Sequence, residues 1–214
     1  MKNVILISAF DPDEDLVDLI KAIMKKGEEY ISDIIVVNDG SGERTHYVFR
    51  RLKSIGIRVI SKNEKAGMGA ACRAGFQLIE EKDILIDGIL VLNSTKDCSA
   101  EDILNVARMM HEHRNSAIIA DSVINRDISL CHRLICHVNS WLLKRRTGVK
   151  CFDPTRGVIG IPAELLNLAM TTSGKDYRYG FNLICGMARS GAPVTNLKFD
   201  DLKNCGTSDM KGFI

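Results

Sequence analysis

Short aliphatic runs alternate with longer amphipathic segments along most of the chain. Residues 4–7 and 34–37 are runs of isoleucine, leucine and valine bounded by polar residues, which is typical of buried strands. Between such runs the apolar positions recur with the three-to-four-residue period of a helix. The pattern predicts strands over residues 4–7, 34–37, 57–60, 88–92, 117–120, 158–161 and 194–199.

Capping residues mark where the predicted helices begin and end. Asp11 followed by Pro12 predicts an N-cap with proline at the first helical position, and Gly27 ends that helix. Ser99 and Asp102 have the spacing of an N-terminal cap. The predicted helices cover residues 11–26, 43–54, 99–113, 129–146 and 181–189, with two more beginning near residues 67 and 162.

Strand–helix alternation over this length predicts an α/β fold. We expect one domain over residues 1–214, with a mixed, mostly parallel sheet and helices on both faces. Ligands of such sheets bind beyond the carboxyl ends of the strands. The segments to consider for function are therefore residues 8–11, 38–41, 93–98 and 152–157, together with Asp121.

Composition and charge exclude several classes of protein. The 29 basic and 27 acidic residues give a net charge of +2, so we expect no nucleic-acid partner. No apolar run reaches the length of a membrane span, and the N-terminus becomes acidic too early for a secretory signal. The seven cysteines form no C-x-x-C pair, which favours reduced, buried thiols in a cytoplasmic protein. The histidine spacings predict no zinc site.

Three features have both a functional and a structural explanation. Asp39 ends a strand, so it either contacts a ligand or is satisfied by loop amides. The glycine turn at residues 67–69 brings backbone close to a ligand or packs a helix tightly on the sheet. The basic residues near the end of the long helix complement its dipole or attract an anionic membrane surface; they are Lys144, Arg145, Arg146 and Lys150.

The strand-end segments together resemble glycosyltransferase family 2, the GT-A fold enzymes related to dolichyl-phosphate mannose synthase. Residues 4–14 resemble the family's opening strand and its I-P-A-Y-N-P-D-E sequence, and residues 34–41 match its second strand. Residues 66–76 resemble N-x-G-K-G-x-A-x-R-x-G-F. Residues 99–103 are similar to S-P-E-D-I, and residues 152–157 stand where the family has D-x-Q-T-G. The resemblance extends along nearly the whole chain and implies a GT-A fold.

The resemblance also implies roles for individual residues. It places Ala9, Phe10, Asp11, Asp39 and Arg73 around the nucleotide, the first two lining the base pocket and Arg73 near the diphosphate. The two positions that normally hold the metal-binding carboxylates are Asn93 and Thr95. The remaining catalytic candidates are Asp97, Asp153 beside the acceptor, and Arg156.

The D-x-D motif of the family is replaced here by Asn93-Ser94-Thr95. An amide and a hydroxyl supply no charge to Mg²⁺ or Mn²⁺, which prefer anionic oxygens, so no metal site is assigned. We therefore expect a nucleotide-sugar-binding family member with impaired or absent transfer. The alternative is an active transferase that binds metal through Asp97 and Asp121, or that works without metal using Lys96 and Arg156.

The expected partner is a nucleotide or nucleotide-sugar of the UDP or GDP type. By resemblance to the polyprenyl members of the family, a lipid phosphate is the candidate acceptor. A membrane partner stays open, and with it peripheral association of a cytoplasmic protein with a membrane surface.

Overall fold

The computed structural model describes residues 2–82, 84–92, 98–121, 130–149, 151 and 158–198. These residues form one seven-stranded sheet. Its strands are β1 (Lys2–Ala9), β2 (Ile31–Asp39), β3 (Arg58–Lys62), β4 (Ile86–Leu92), β5 (Ala117–Asp121), β6 (Val158–Pro162) and β7 (Val194–Lys198). The order across the sheet is β3-β2-β1-β4-β6-β5-β7, and only β6 runs antiparallel to its neighbours.

Helices cover both faces of the sheet. They are α1 (Asp15–Lys26), α2 (His46–Ser54), α3 (Met68–Glu81), α4 (Ala100–Glu112), α5 (Leu130–Thr147), α6 (Leu166–Thr171) and α7 (Asp176–Arg189). The apolar side chains of α1, α2 and α4 pack on one face, and those of α3, α6 and α7 pack on the other. The predicted α/β fold with a mixed, mostly parallel sheet is confirmed.

Alternation along the central strands divides the core into two layers. Ile5 and Ile7 of β1 lie in the layer of α1, α2 and α4, whereas Val4 and Leu6 lie in the layer of α3. β1 is buried along almost its whole length because helices cover both of its faces. The same alternation continues to the end of β2, so consecutive residues there point to opposite faces of the sheet.

Two helix boundaries differ from those predicted. The N-cap of α1 is Glu14, and Asp11 instead adopts a left-handed backbone conformation with φ of 46°. The reason is a contact between loops, in which the Asp11 carboxylate accepts a hydrogen bond from Gly42. Helix α7 begins at Asp176 rather than at residue 181, and its Tyr179 is fully buried in the core. The cap of α4 is confirmed, because Ser99 and Asp102 form a reciprocal capping box.

The described cysteines are buried, as the sequence predicts; they are Cys72, Cys98, Cys136, Cys151 and Cys185. None of the helices in the described part of the chain combines the length and the hydropathy that crossing a bilayer requires.

Candidate functional site

The strand order reverses around β1, which pairs with β2 on one side and with β4 on the other. Ligands of open α/β sheets bind beyond the carboxyl ends of the strands, at a point where the strand order reverses. The loops that follow β1, β2 and β3 meet at the carboxyl edge of the sheet, where they contact one another through side-chain hydrogen bonds. This edge is the candidate site.

Asp39 supplies a buried carboxylate at this edge. The residue is 2% exposed, and its Oδ1 accepts a hydrogen bond from the backbone N–H of Ala66 at 3.0 Å. Its Oδ2 accepts one from Gly67 at 2.8 Å, so Asp39 ties the end of β2 to the start of α3. An ionised carboxylate has about four lone-pair directions, which leaves acceptor capacity for a ligand. Both explanations of Asp39 are therefore compatible, and the ligand contact stays a prediction.

A second set of hydrogen bonds joins the loops after β1 and β2. Asn38 Oδ1 accepts from the backbone N–H of Ser41 at 2.9 Å, which closes the turn after β2. Ser41 Oγ accepts from the backbone N–H of Asp11 at 2.9 Å, and Asp11 Oδ1 accepts from Gly42 at 2.8 Å and from Thr45 Oγ1 at 3.3 Å. Asp11 is thus held in place by the neighbouring loop and stands exposed beside the candidate site.

Phe10 and Lys65 form an exposed pair above this edge. Phe10 is 45% exposed, and Lys65 Nζ lies 3.8 Å from its ring centroid, in the geometry of a cation–π contact. The preceding residue, Ala9, is buried at the end of β1. An exposed aromatic ring offers a stacking surface to a base, and the adjacent ammonium attracts a phosphate.

The glycine turn before α3 packs tightly. A Cβ on Gly69 would lie 2.5 Å from the carbonyl oxygen of Gly174 and 2.9 Å from the ring of Tyr179. Gly67 has a φ of 85° and donates its N–H to Asp39. Gly69 therefore packs tightly against Gly174 and against Tyr179 of α7, rather than against the sheet as one of the two explanations expected. Contact between this turn and a ligand stays a prediction.

Arg73 lies on α3, where its Nη1 donates to the backbone carbonyl of Thr172 at 3.1 Å. The neighbouring Cys72 is fully buried, and burial raises the pKa of its thiol to about 12, with a hydrogen bond to Tyr179 and the charge of Arg73 opposing that shift. Cys72 is therefore a protonated thiol at neutral pH and does not serve as a nucleophile.

Several predicted site residues lie outside the described residues: Asn93, Thr95, Lys96, Asp97, Asp153 and Arg156. The predicted site residues that can be described are thus the nucleotide-side candidates Ala9, Phe10, Asp11, Asp39 and Arg73. Among the described residues, no group of three or more His, Cys, Asp or Glu side chains is arranged to hold a metal ion.

At this edge the sequence did not single out Lys65, and it included Asn38 and Ser41 only as part of the segment 38–41. Lys65 contacts Phe10, while Asn38 and Ser41 organise the turn that holds Asp11. Asn38 and Ser41 carry a local signal, because the side chain of an asparagine in a turn commonly accepts a hydrogen bond from a backbone N–H that follows it closely. Lys65 carries no such signal, because its role depends on a ring that is distant in the sequence.

The sequence profile of the family described as Glycosyl transferase family 2 matches residues 4–156. The chain belongs to this family. The match includes the loops after β1, β2 and β3 and extends through residues 93–95 and the segment that contains Asp153 and Arg156. No curated protein matches the sequence at a significant level.

Solved structures show that this glycosyl transferase family 2 protein has the GT-A fold. Glucosyl-3-phosphoglycerate synthase from Mycobacterium tuberculosis, in complex with Mn²⁺, UDP-glucose and phosphoglyceric acid, matches with a TM-score of 0.65 at 16% identity, over 92% of this chain and 69% of that chain. The mannosyltransferase PcManGT from Pyrobaculum calidifontis, in complex with GDP-Man and Mn²⁺, matches with a TM-score of 0.58 at 12% identity, over 90% of this chain and 53% of that chain.

TarS from S. aureus is a third similar structure, with a TM-score of 0.57 at 14% identity, over 92% of this chain and 58% of that chain. The family 2 chain therefore spans between 53% and 69% of these three solved chains. At such identities the similarity establishes the fold alone.

Proposed function

We propose that this family 2 protein binds a nucleotide or nucleotide-sugar of the UDP or GDP type at the carboxyl edge of β1, β2 and β3. The observation that carries the proposal is the fixed carboxylate of Asp39, which is oriented by two backbone amides and retains acceptor capacity. Phe10 is the stacking surface for the base, and Asp11 and Ala9 border the same pocket. Arg73 and the segment of Asn93 and Thr95 are assigned to the diphosphate side.

Transfer of the sugar is proposed to be impaired or absent. The complexes of the mycobacterial synthase and of PcManGT contain Mn²⁺, a hard cation that binds anionic oxygens. In this chain the corresponding motif is Asn93-Ser94-Thr95, a donor set without a carboxylate. These residues do not fit a divalent metal. The leaving diphosphate then lacks the electrostatic stabilisation that dominates such transfers.

The alternative is an active glycosyltransferase that delivers the sugar to a polyprenyl phosphate or another acceptor. In that case Asp97, Asp153 and Arg156 carry the chemistry, with Asp97 in a relocated metal site or Arg156 neutralising the diphosphate without metal. The two candidates differ in one measurable property, the dependence of nucleotide binding on Mn²⁺.

Calorimetric titration of UDP, GDP, UDP-glucose and GDP-mannose, each with and without Mn²⁺, tests the proposal. We expect at least one of them to bind with an affinity that Mn²⁺ changes by less than about twofold, because no carboxylate pair joins the metal to the diphosphate. Replacing Asn93 and Thr95 together by aspartate should make the same titration depend on Mn²⁺ by roughly tenfold or more.

The matched control for that double variant is Asn93→Gln with Thr95→Ser, which changes the same positions without adding charge and should stay indifferent to Mn²⁺. Two results would contradict the proposal. Mn²⁺-dependent binding by the unmodified protein, lost in Asp97→Ala, establishes a relocated metal site. Absence of binding to all four nucleotides removes the nucleotide function itself.

A second candidate function is association with an anionic membrane surface, and helix α5 supports it. Leu134, Val138 and Trp141 recur at helical spacing on one side of α5 and are 66%, 50% and 57% exposed. Cys136 and Leu143 are buried on the opposite side. The α5 stripe, defined as Leu134, Val138 and Trp141, continues into the basic residues of the last turn, where Arg145 lies over the Trp141 ring at 5.4 Å.

An exposed apolar stripe with a basic end has the composition of helices that lie in the interface of an anionic bilayer. The apolar side chains enter the boundary of the acyl chains, tryptophan favours the headgroup level, and basic side chains pair with lipid phosphates. Helix-dipole complementarity explains the basic last turn but not the exposed leucine, valine and tryptophan. A membrane surface therefore accounts for more of α5 than the dipole alone.

Binding to vesicles tests this assignment, and Trp141 is the only tryptophan of the chain. We expect its fluorescence to shift to the blue with vesicles of phosphatidylcholine and phosphatidylglycerol, and much less with phosphatidylcholine alone. Val138→Ser should weaken binding by roughly tenfold, because it removes apolar surface from the stripe. The control is Tyr47→Ser, which changes an exposed residue of α2. Equal binding of both variants, or no shift with either vesicle, would exclude the α5 stripe as a membrane surface.

A further inference from the structure

A cavity of about 450 Å³ opens between α2 and β3, on the face of the sheet opposite the Asp39 carboxylate. Asn38 and Asp39 are consecutive residues of β2, so their side chains point to opposite faces, and it is Asn38 that lines the cavity. Phe49, which belongs to the core layer of α1, α2 and α4, also lines it. The cavity therefore shares the turn of Asn38 and Ser41 with the edge of the proposed nucleotide site, but it opens on the other face of the sheet.

The charged residues that line this cavity are all basic. We call it the basic cavity and define it by His46, Arg50, Lys53 and Lys62, together with Asn38 and Ser41. Among the residues that the structure describes, no aspartate or glutamate lines it. Cations that line one cavity without a carboxylate repel one another, and an anion bound between them removes that repulsion.

Cations next to these residues along the chain are paired, in contrast to those of the basic cavity. Arg51 pairs with Glu14, and Arg58 pairs with Asp33 at 2.8 Å. Within the described ranges, Arg50, Lys53 and Lys62 form no ion pair. Glu14 and Asp33 thus pair with other cations and do not neutralise the side chains of the basic cavity.

The turn after β2 positions two further polar side chains of the lining. Asn38 is 5% exposed, and its Oδ1 already accepts from the N–H of Ser41, which leaves its Nδ2 as the group available to a ligand. His46 Nε2 lies 3.2 Å from the carbonyl oxygen of Ser41, which fixes its ring beside the same turn. A fixed amide donor beside cationic side chains is a suitable arrangement for phosphate oxygens.

The size of the basic cavity and its charge indicate the class of ligand. A volume of about 450 Å³ lies in the range of small-molecule sites, and three permanent cations match a ligand of more than one negative charge. We propose that the basic cavity binds a small phosphorylated anion. This inference goes beyond the nucleotide function and does not depend on it, because it uses the other face of the sheet.

Inorganic pyrophosphate is the probe that tests the basic cavity. Titration followed by NMR of backbone amides should shift the signals of Ser41, Ser61, Lys62 and Asn63. Replacing Arg50 and Lys53 together by glutamate should weaken binding roughly tenfold or more, since two attractive charges become repulsive. Replacing both by glutamine should weaken it by a smaller factor while preserving the fold, which the thermal unfolding midpoint checks.

The matched control is Lys25→Glu with Lys26→Glu, which lowers the net charge equally at the end of α1. It should change the affinity by less than about twofold, because those charges are exposed and screened. An equal loss in the control overturns the proposal, as does a pyrophosphate response confined to Ala66, Gly67 and Arg73. UDP titration of the Arg50/Lys53 variant separates the two sites, since UDP binding should persist there.

Discussion

Asp39→Ala should abolish detectable nucleotide binding and lower the free energy of unfolding by about 3 kcal/mol. The carboxylate accepts hydrogen bonds from Ala66 and Gly67, and the substitution leaves both backbone donors without their partner. The segment between β3 and α3 then loses its attachment to β2, and the group proposed to contact the base is gone. Calorimetry with UDP and GDP and chemical denaturation measure the two effects separately.

The same substitution at the other end of β2 is the matched control. Asp33 accepts a hydrogen bond from Ile34 and pairs with the half-exposed Arg58, so Asp33→Ala should cost about 1 kcal/mol and leave nucleotide affinity unchanged. Asp39→Asn keeps one acceptor but turns an amide group toward one of the two N–H donors, and its loss of stability should be intermediate. A folded Asp39→Ala protein with normal nucleotide affinity would restrict Asp39 to its structural role.

The fold was accessible from the sequence because its strongest signals are local. Buried parallel strands require continuous aliphatic runs, and residues 4–7 and 34–37 supply them. A capping box depends on residues three apart, and for that reason Ser99 and Asp102 predicted the start of α4 correctly. The fold class follows from the alternation of these elements, which the family resemblance only made more specific.

The prediction failed where a distant contact overrides a local pattern. Asp11 has the sequence context of an N-cap, yet its carboxylate is used by Gly42, 31 residues away. Helix α7 begins at Asp176, five residues before its predicted start. Polar residues in its first turn concealed the helical spacing of its apolar residues. No local spacing encodes either outcome, since each depends on which loops and helices meet after folding.

In the candidate site, too, local features could be predicted from the sequence and contacts between distant residues could not. Asp39 could be predicted because a carboxylate at a strand end is a local pattern, whereas its two backbone donors follow from the path of the loop after β3. The basic cavity had no signal at all: Arg50 and Lys53 on α2 and Lys62 on β3 each look like ordinary surface cations. That these side chains line one cavity, with no carboxylate among its described lining residues, is visible only in three dimensions.

Gly40→Ala should have the largest effect on stability, about 4 kcal/mol, together with at least about a tenfold loss of nucleotide affinity. Gly40 has a φ of 77°, which costs other residues free energy. In addition, an added Cβ would lie under 3.0 Å from backbone atoms of Glu64 and Lys65. Backbone atoms cannot rotate away, so the loops after β2 and β3 must separate. The hydrogen bonds of Asp39 with Ala66 and Gly67 are then lost.

Gly56→Ala separates backbone strain from collision. Gly56 has a φ of 90°, but no atom lies within 4 Å of the position of its Cβ. Gly56→Ala should therefore lower the free energy of unfolding by only about 1 kcal/mol, which is the strain of the left-handed conformation. Its nucleotide affinity should be normal. Denaturant unfolding of the two variants side by side gives the difference directly. Similar losses in both would mean that the loops after β2 and β3 do not approach each other closely, and the proposed nucleotide site would lose its structural basis.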